Sequence, residues 1–237
     1  MGPIGGLTCL DFSGYNRHGT LTNFGMTNTS GWGPGLDGMG ALNFDGVNDY
    51  VIVTMDKSVV SNYTISFWLK STGAQNTKGI LAWQSALTSA APFLLFWKSN
   101  ATTLTYYANG ANRISISSWP DDVWKLLTVT YDGTTHKLYL NDVLQASATA
   151  GASNTGTGVY FGNGYNGYFS GRIEGVRIYN RALTASEVIQ IYNPVTRWEL
   201  RYQLGLTRRF VQSSGAVAKV GASVLRIPSS KRSVICG

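Results

Sequence analysis

The sequence predicts an all-β fold: a two-sheet antiparallel sandwich with one short helix and a basic C-terminal extension. Three observations carry this expectation. Short runs with period-two alternation recur at regular spacing, turn dipeptides fall between them, and the excess positive charge is confined to one end of the chain.

The runs are ALNF at 41–44, YVIVT at 50–54, YTISFWLK at 63–70, GILAW at 79–83, FLLFWK at 93–98 and TLTYYA at 103–108. They continue with RISIS at 113–117, WKLLTVTY at 124–131, HKLYL at 136–140, VLQASA at 143–148, GVYFG at 158–162 and RIEGVRIY at 172–179. Turn dipeptides punctuate them: Asp45-Gly46, Asn109-Gly110, Asp132-Gly133, Asn141-Asp142, Asn163-Gly164 and Asn166-Gly167. Alternation separates the faces. Tyr63, Ile65, Phe67 and Leu69 share one side, opposite Thr64, Ser66, Trp68 and Lys70. Leu127, Val129 and Tyr131 likewise oppose Thr128 and Thr130. One apolar and one polar face per sheet is the antiparallel sandwich pattern.

The helix is expected over about 184–192. Thr184 followed by Glu187 makes a capping box, Val188, Ile189 and Tyr192 supply an apolar side, and Pro194 helps to stop it.

The chain has 237 residues, of which 43% are hydrophobic and 13% charged. A chain of this length buries roughly 70% of its unfolded surface and needs no covalent staple. No run reaches the ~18 apolar residues of a membrane helix. The start, MGPIGGLTCLDFSG, lacks a basic region followed by an apolar one, so no signal peptide is expected. The sequons at Asn28, Asn62 and Asn100 are then incidental. Cys9 and Cys236 lie near opposite ends and form no CxxC or zinc spacing; two free thiols are the expectation, with a disulfide between the termini as the alternative.

The charge divides the chain. Residues 1–193 hold 11 Lys+Arg and 11 Asp+Glu, whereas residues 194–237 hold 8 Lys+Arg and one acid, Glu199, which accounts for the whole +7. The expected organisation is therefore a β-domain over 1–193 and an extension over 194–237 that lies against a partner.

Several landmarks resemble the laminin-G-like, concanavalin-A-like jelly-roll domains. DFSGYNRHGTLTN at 11–23 is similar to the family's opening loop, and ALNFDGVNDYVIV at 41–53 to its strand–Asp-Gly–strand element. TISFWLK at 64–70 and WKLLTVTYDGTTHKLYLNDVL at 124–144 resemble its central hairpins. GRIEGVRIYNRALTASEVIQIY at 171–192 resembles its closing strand and helix. The resemblance spans most of residues 7–192 and implies the jelly-roll topology. It says less about function, because this fold hosts lectins, adhesion modules, enzymes and spacers. The order of a jelly roll followed by an Arg-rich tail also resembles domains of bacteriophage structural proteins. That implies a virion location, with synthesis in the host cytoplasm.

Catalysis finds little support. Glycoside hydrolysis needs two carboxyls about 5–9 Å apart. The glutamates are Glu174, Glu187 and Glu199, and no Glu-x-Asp-x-x-Glu arrangement occurs. Asp121-Asp122 read as a solvated turn. His18 and His136 are the only histidines, and no Gly-x-Ser-x-Gly elbow accompanies them.

The resemblance implies a calcium site at a loop edge, for which Asp11, Asn16 and Glu174 are the candidates. Calcium wants six to eight oxygens, yet the family's second closing-strand acid is replaced here by Gly175. The alternatives are an Asx-type loop bond for Asp11 and an ion pair of Glu174 with Arg172 or Arg177. Glu174 is expected on the inward phase with Val176 and Ile178, where a carboxylate needs a partner. For carbohydrate binding the loop aromatics Trp32, Trp119, Tyr165 and Tyr168 are the candidates. Trp68 reads either as a platform on the sheet face or as packing beneath a crossing segment. Trp83, Trp97 and Trp124 read as core or rim filling.

In the extension, Arg197, Trp198, Arg201, Arg208, Arg209 and Phe210 are the candidate anchoring residues, because an Arg/aromatic mixture suits a protein interface. Its cations are spaced, not clustered, so docking onto other virion proteins or further copies of the chain is favoured over nucleic acid. No membrane partner is expected. The leading expectation is a non-catalytic virion decoration or fibre-type protein whose jelly roll is displayed to cell-surface glycans. The alternatives are a stand-alone lectin-like module and a degenerate glycoside hydrolase.

Overall fold

The computed structural model of the chain describes residues 6–36, 40–55, 61–73, 77–85, 94–100, 102–108, 111–149, 156–164, 167–194, 196 and 235–236. In chain order the strands are β1 Thr8–Cys9, β2 Gly19–Thr22, β3 Gly31–Gly33, β4 Ala41–Asp45, β5 Tyr50–Thr54 and β6 Tyr63–Ser71. Next come β7 Lys78–Gln84, β8 Leu94–Asn100, β9 Thr103–Ala108, β10 Ala111–Ile116, β11 Lys125–Tyr131 and β12 Thr135–Leu140. The last are β13 Val143–Thr149, β14 Gly158–Phe161, β15 Asn163–Gly164, β16 Gly167–Tyr168, β17 Ser170–Tyr179 and β18 Ile235–Cys236, with the helix α1 Ala185–Tyr192 between β17 and β18.

One sheet runs β1-β2-β5-β14-β7-β8-β9-β10, with β15 and β16 beside β7. The other runs β13-β12-β11-β6-β17-β4-β3, with β18 on β17. The main ladders are antiparallel, which is the expected two-sheet jelly-roll sandwich. Tyr63, Ile65, Phe67 and Leu69 of β6 point into the shared core, as their alternation requires.

The outward phase of β6 is not solvated. Thr64 and Ser66 are fully buried. The Thr64 hydroxyl donates to the Arg181 carbonyl at 2.8 Å and accepts from Leu183 N–H at 2.9 Å. Trp68, Leu126 and Tyr139 form a second apolar cluster with Leu183, Val188 and Ile191. The helix therefore lies on the outer face of this sheet, and its Tyr192 stacks on Trp68 with ring centroids 5.8 Å apart. Thr184 and Glu187 make the anticipated capping box.

β17 departs from simple alternation. Glu174 pairs with Trp68 and Arg177 with Ser66, so Gly175 and Val176 together oppose Phe67. This is a β-bulge, and Gly175 has φ +59°, a left-handed conformation that glycine adopts without Cβ strain. The extra residue resets the phase. Ile173, Val176 and Ile178 face the core, while Glu174 lands beside Trp68 on the outer face. The inward placement of Glu174 expected from uniform alternation is thus corrected.

The cysteine expectation is also corrected: Cys9 is fully buried and disulfide-bonded, and the sequence contains one other cysteine, Cys236. Composition alone gave no reason to bring the chain ends together. In the fold β18 returns to the sandwich, pairing Val176 with Cys236 and Arg177 with Ile235. Along this edge β17 is covered by β4 at residues 170–173 and by β18 beyond the bulge.

Candidate functional site

β1 and β2 form an antiparallel hairpin, Thr8 opposite Thr20 and Cys9 opposite Gly19. Residues 10–18 are its loop, and they contain the Asp-x-Ser-Gly run. Asp11 is buried and organises the whole loop. Its Oδ1 accepts from Ser13 N–H at 2.7 Å, and its Oδ2 accepts from the Ser13 hydroxyl at 2.7 Å and from Arg17 N–H at 2.9 Å. Its own N–H donates to His18 Nδ1 at 3.0 Å. These bonds are of the Asx type. Gly14 and Asn16 supply the two left-handed positions the loop needs, at φ +86° and +54°.

The carboxylate faces in and the large side chains face out. Phe12 is 53% exposed, Leu10 41% and Tyr15 38%. Asn16 and His18 are exposed as well. The Arg17 guanidinium lies over the Tyr15 ring, 4.9 Å from its centroid. Because His18 Nδ1 accepts a backbone N–H, the neutral ring carries its proton on Nε2. The exposed aromatics here, Phe12 and Tyr15, escaped sequence reading because a loop has no alternation to sort outward from inward residues.

Glu174 serves a second loop. Its Oε2 accepts Leu36 N–H at 2.6 Å, and Arg172 Nη1 donates to the Pro34 carbonyl at 3.3 Å. A Cβ on Gly35 would meet the Glu174 carboxylate, so a larger residue there would make that carboxylate shift. The acids proposed for calcium, Asp11 and Glu174, therefore have protein partners in two different loops, and a metal would have to displace them. Asn16 is an exposed turn residue. Among the described residues no three His, Cys, Asp or Glu side chains are grouped to hold a metal ion.

The candidate sugar platforms are not brought together. Trp119 belongs to the core, 3% exposed, and its indole donates to the Ser71 hydroxyl at 3.0 Å. As an exposed platform it is corrected: Trp119 N–H donates to the Thr102 carbonyl, and the segment folds inward over the end of β6. Ser71 in turn donates to Asp121 at 2.5 Å, and Asp122 pairs with Lys70 at 3.0 Å, so these acids fasten a loop. Trp32 is half-buried against the core, with its indole 3.4 Å from the Gly6 carbonyl. Tyr168 is half-buried in β16. Tyr165 and the anchoring candidates Arg197, Trp198, Arg201, Arg208, Arg209 and Phe210 lie outside the described residues.

Three comparisons place this architecture. No curated protein matches the sequence. Among solved structures, the fold is similar to domain 4 of AbnA, a GH43 extracellular arabinanase from Geobacillus stearothermophilus solved in complex with arabinotriose. The identity is 23% and the TM-score 0.57, covering 74% of this chain and 88% of that one. It is also similar to the binding domain of botulinum neurotoxin DC in complex with SialylT, at 16% identity and TM-score 0.59, covering 79% of this chain and 50% of that one. A third likeness is the receptor-binding domain of botulinum neurotoxin mosaic serotype C/D, at 17% identity and TM-score 0.59, covering 77% and 47%. The chain spans about half the length of these neurotoxin domains. A family model described as concanavalin A-like lectin/glucanases superfamily matches residues 45–189, and with its two-sheet jelly roll the chain belongs to this laminin-G-like family.

Proposed function

We propose that this protein is a non-catalytic binding module that recognises glycans. The observation that carries the reading is the β1–β2 hairpin loop, which holds exposed aromatic side chains on a backbone stiffened by Asp11. Rigid display of aromatic and hydrogen-bonding groups is how a binding site avoids ordering costs. The acids with described bonds serve structure: Asp11 and Glu174 hold loops, Asp45 and Asp49 tie the β4–β5 turn, Asp121 and Asp122 fasten β6, Asp132 closes the β11–β12 turn, and Glu187 caps α1. Asp45 and Asp49 are a neighbouring pair, and burial together with the Asp45 charge raises the Asp49 pKa; but Asp49 is fully buried and accepts Asp45 N–H, so it is closed to a substrate. Two fold neighbours, the arabinanase domain and the neurotoxin binding domain, are described in complex with arabinotriose and SialylT, which supports the same class of ligand.

The test is a glycan array at physiological salt, with reducing-sugar assays on β-glucans alongside. Selective binding without turnover is expected. A blank array removes the reading, and turnover of a β-glucan replaces it with the hydrolase alternative.

The finer reading is a virion decoration or fibre-type protein held by its basic extension. Its support is the charge step at residue 194. The disulfide at Cys9 favours a final location in an oxidising medium, such as a particle surface. Replacing Arg197, Arg201, Arg208 and Arg209 by Gln leaves β18 and the disulfide in place; it is expected to abolish incorporation into particles, and normal incorporation of that variant would end the reading.

A further inference from the structure

Resting on the glycan-binding reading, we propose that the β1–β2 loop, residues 10–18, is the saccharide contact of this chain and that it selects sugars bearing a carboxylate.

The first argument is shape. The bonds converging on Asp11 tie residue 11 to residues 13, 17 and 18, so the loop closes on itself. Phe12 sits between two tied positions, and so does Tyr15. Their rings are held out from a common base rather than swinging on a mobile strand. A ligand meets them with little ordering left to do.

The second argument is exposure. Leu10, Phe12 and Tyr15 are all large apolar residues left in water within six positions of one another. Scattered apolar residues need no explanation, but a concentration at the tip of a stiff loop marks a contact surface. The two rings suit the apolar C–H face of a pyranose.

The third argument is polarity. Apart from Asp11, the loop's polar side chains can all donate: the Arg17 guanidinium and the His18 Nε2–H only donate, and the Asn16 amide and the Tyr15 hydroxyl donate as well as accept. Its one acid, Asp11, is turned inward and surrounded by donors, so the surface shows no compensating negative charge. No carboxylate among the described residues pairs with Arg17, whose recorded contact is the Tyr15 ring. An anion without a ring would leave Phe12 and Tyr15 in water. A neutral sugar would meet Arg17 only through hydroxyl acceptors, without the charge-assisted gain of a carboxylate. A carboxylate carried on a sugar ring answers both, the guanidinium taking the carboxylate in a charge-assisted fork.

The experiment titrates the full chain, with its disulfide intact, by calorimetry and by two-dimensional NMR. The probes are matched pairs differing in a carboxylate: glucuronate against glucose, and sialyllactose against lactose. Vesicles containing phosphatidylserine form a separate arm. At least one acidic probe is expected to bind roughly tenfold or more tightly than its neutral partner. Arg17→Gln is expected to remove that preference, and Arg17→Lys to restore only part of it. Phe12→Ala and Tyr15→Ala are expected to weaken both members of a pair. These side chains lie outside the core, and unchanged NMR spectra elsewhere confirm that each variant is folded.

Glycan binding that survives all four variants overturns this site while leaving the general reading intact. Failure of the wild type to bind any saccharide, on the array or in titration, overturns both. Vesicle binding that is lost in Phe12→Ala, with no saccharide binding, assigns the loop to a lipid surface and overturns the proposal.

Discussion

Tyr106 in one sheet and His136 in the other are joined across the core, phenol oxygen to Nδ1, at 2.9 Å. Tyr63 completes the node, its hydroxyl 3.0 Å from that of Tyr106 and 3.4 Å from His136 Nδ1. The Tyr131 ring stacks on the imidazole with centroids 4.2 Å apart. The two sheets are therefore held by a polar clasp as well as by apolar packing. His136 is fully buried, and its Nε2 has no hydrogen-bond partner. Such a site has no place for an imidazolium.

Acid should loosen this clasp before it affects ordinary surface groups. Burial, helped by the Arg113 charge and opposed by Asp132, holds the His136 pKa down at about 4, against 6.5 for a free histidine. The sign follows from linkage. Above pH 6.5 both folded and unfolded chains carry the neutral ring, and the group adds no pH dependence. Between 6.5 and 4 the unfolded chain takes up the proton first, so stability falls as pH falls, by up to about 3 kcal/mol in all. Urea unfolding of wild type and His136→Phe at pH 7.5, 6 and 5 checks this. The variant is expected to start less stable and to lose less on acidification; parallel losses in the two proteins would show that His136 is not the source.

Glu187 answers to pH in the lower range. Its carboxylate accepts two bonds from Arg181, at 2.6 and 2.8 Å, and closes the capping box with Thr184. The Arg181 guanidinium holds its pKa below the usual glutamate value. Its contribution is fully present above about 4.5 and is lost as pH drops through the depressed value. Glu187→Gln keeps the shape but not the charge, and at neutral pH it should cost about 1 kcal/mol, read from the denaturant midpoint. The loss should vanish at the acid end, where the wild-type carboxyl is also neutral. A cost that persists there would show that the donor introduced by the glutamine amide, and not the lost charge, is its source.

Much of this fold was legible in the sequence, and the exceptions have physical causes. The alternation of Tyr63, Ile65, Phe67 and Leu69 located β6 and its inner face. Thr184 and Glu187 located the helix cap. Reading failed where one residue broke a rule locally. Gly175 within a strand signals a bulge, but it drew attention only as a missing acid, and Glu174 was then assigned the wrong face. Trp119 beside Pro120 looks like an exposed turn, yet a loop that closes a sandwich end can turn its aromatic residue inward. β1, β2 and β3 are too short and too rich in Gly and Thr to stand out. β18 is invisible to local pattern, because its place depends on β17 being free beyond the bulge.

Reduction should weaken the sandwich. Cys9 lies in β1 of one sheet, while β18, which carries Cys236, pairs in the other. A non-reducing peptide map is expected to recover Cys9 joined to Cys236. A closure over so long a loop restricts the unfolded chain strongly, so Cys9→Ala should lower stability by about 3 kcal/mol. The thermal midpoint in oxidising and in reducing buffer checks this: wild type should shift on reduction and Cys9→Ala should not. Equal midpoints for wild type in the two buffers would show that the bond adds nothing.

The bulge at Gly175 makes the sharpest prediction, because two changes at one position test its backbone conformation and its extra residue separately. In Gly175→Ala the added Cβ meets only Trp68 Cδ1, at 3.6 Å, an ordinary contact. Its cost is backbone strain at φ +59°, about 1–2 kcal/mol. Deleting Gly175 removes the extra residue instead of straining it. The ladder with β6 then straightens with Glu174 still opposite Trp68, Val176 opposite Phe67 and Arg177 opposite Ser66, so every side chain keeps its face. Val176 and Ile178 stay in the core, and Glu174 stays on the outer face with Leu36 N–H. The deletion also removes the left-handed position that Gly175→Ala strains. Thermal unfolding should show one cooperative transition for each variant, with Gly175→Ala a few degrees below wild type and the deletion no lower than Gly175→Ala. A deletion variant without a cooperative transition would show that the bulge shapes the strand for more than the alternation of its faces.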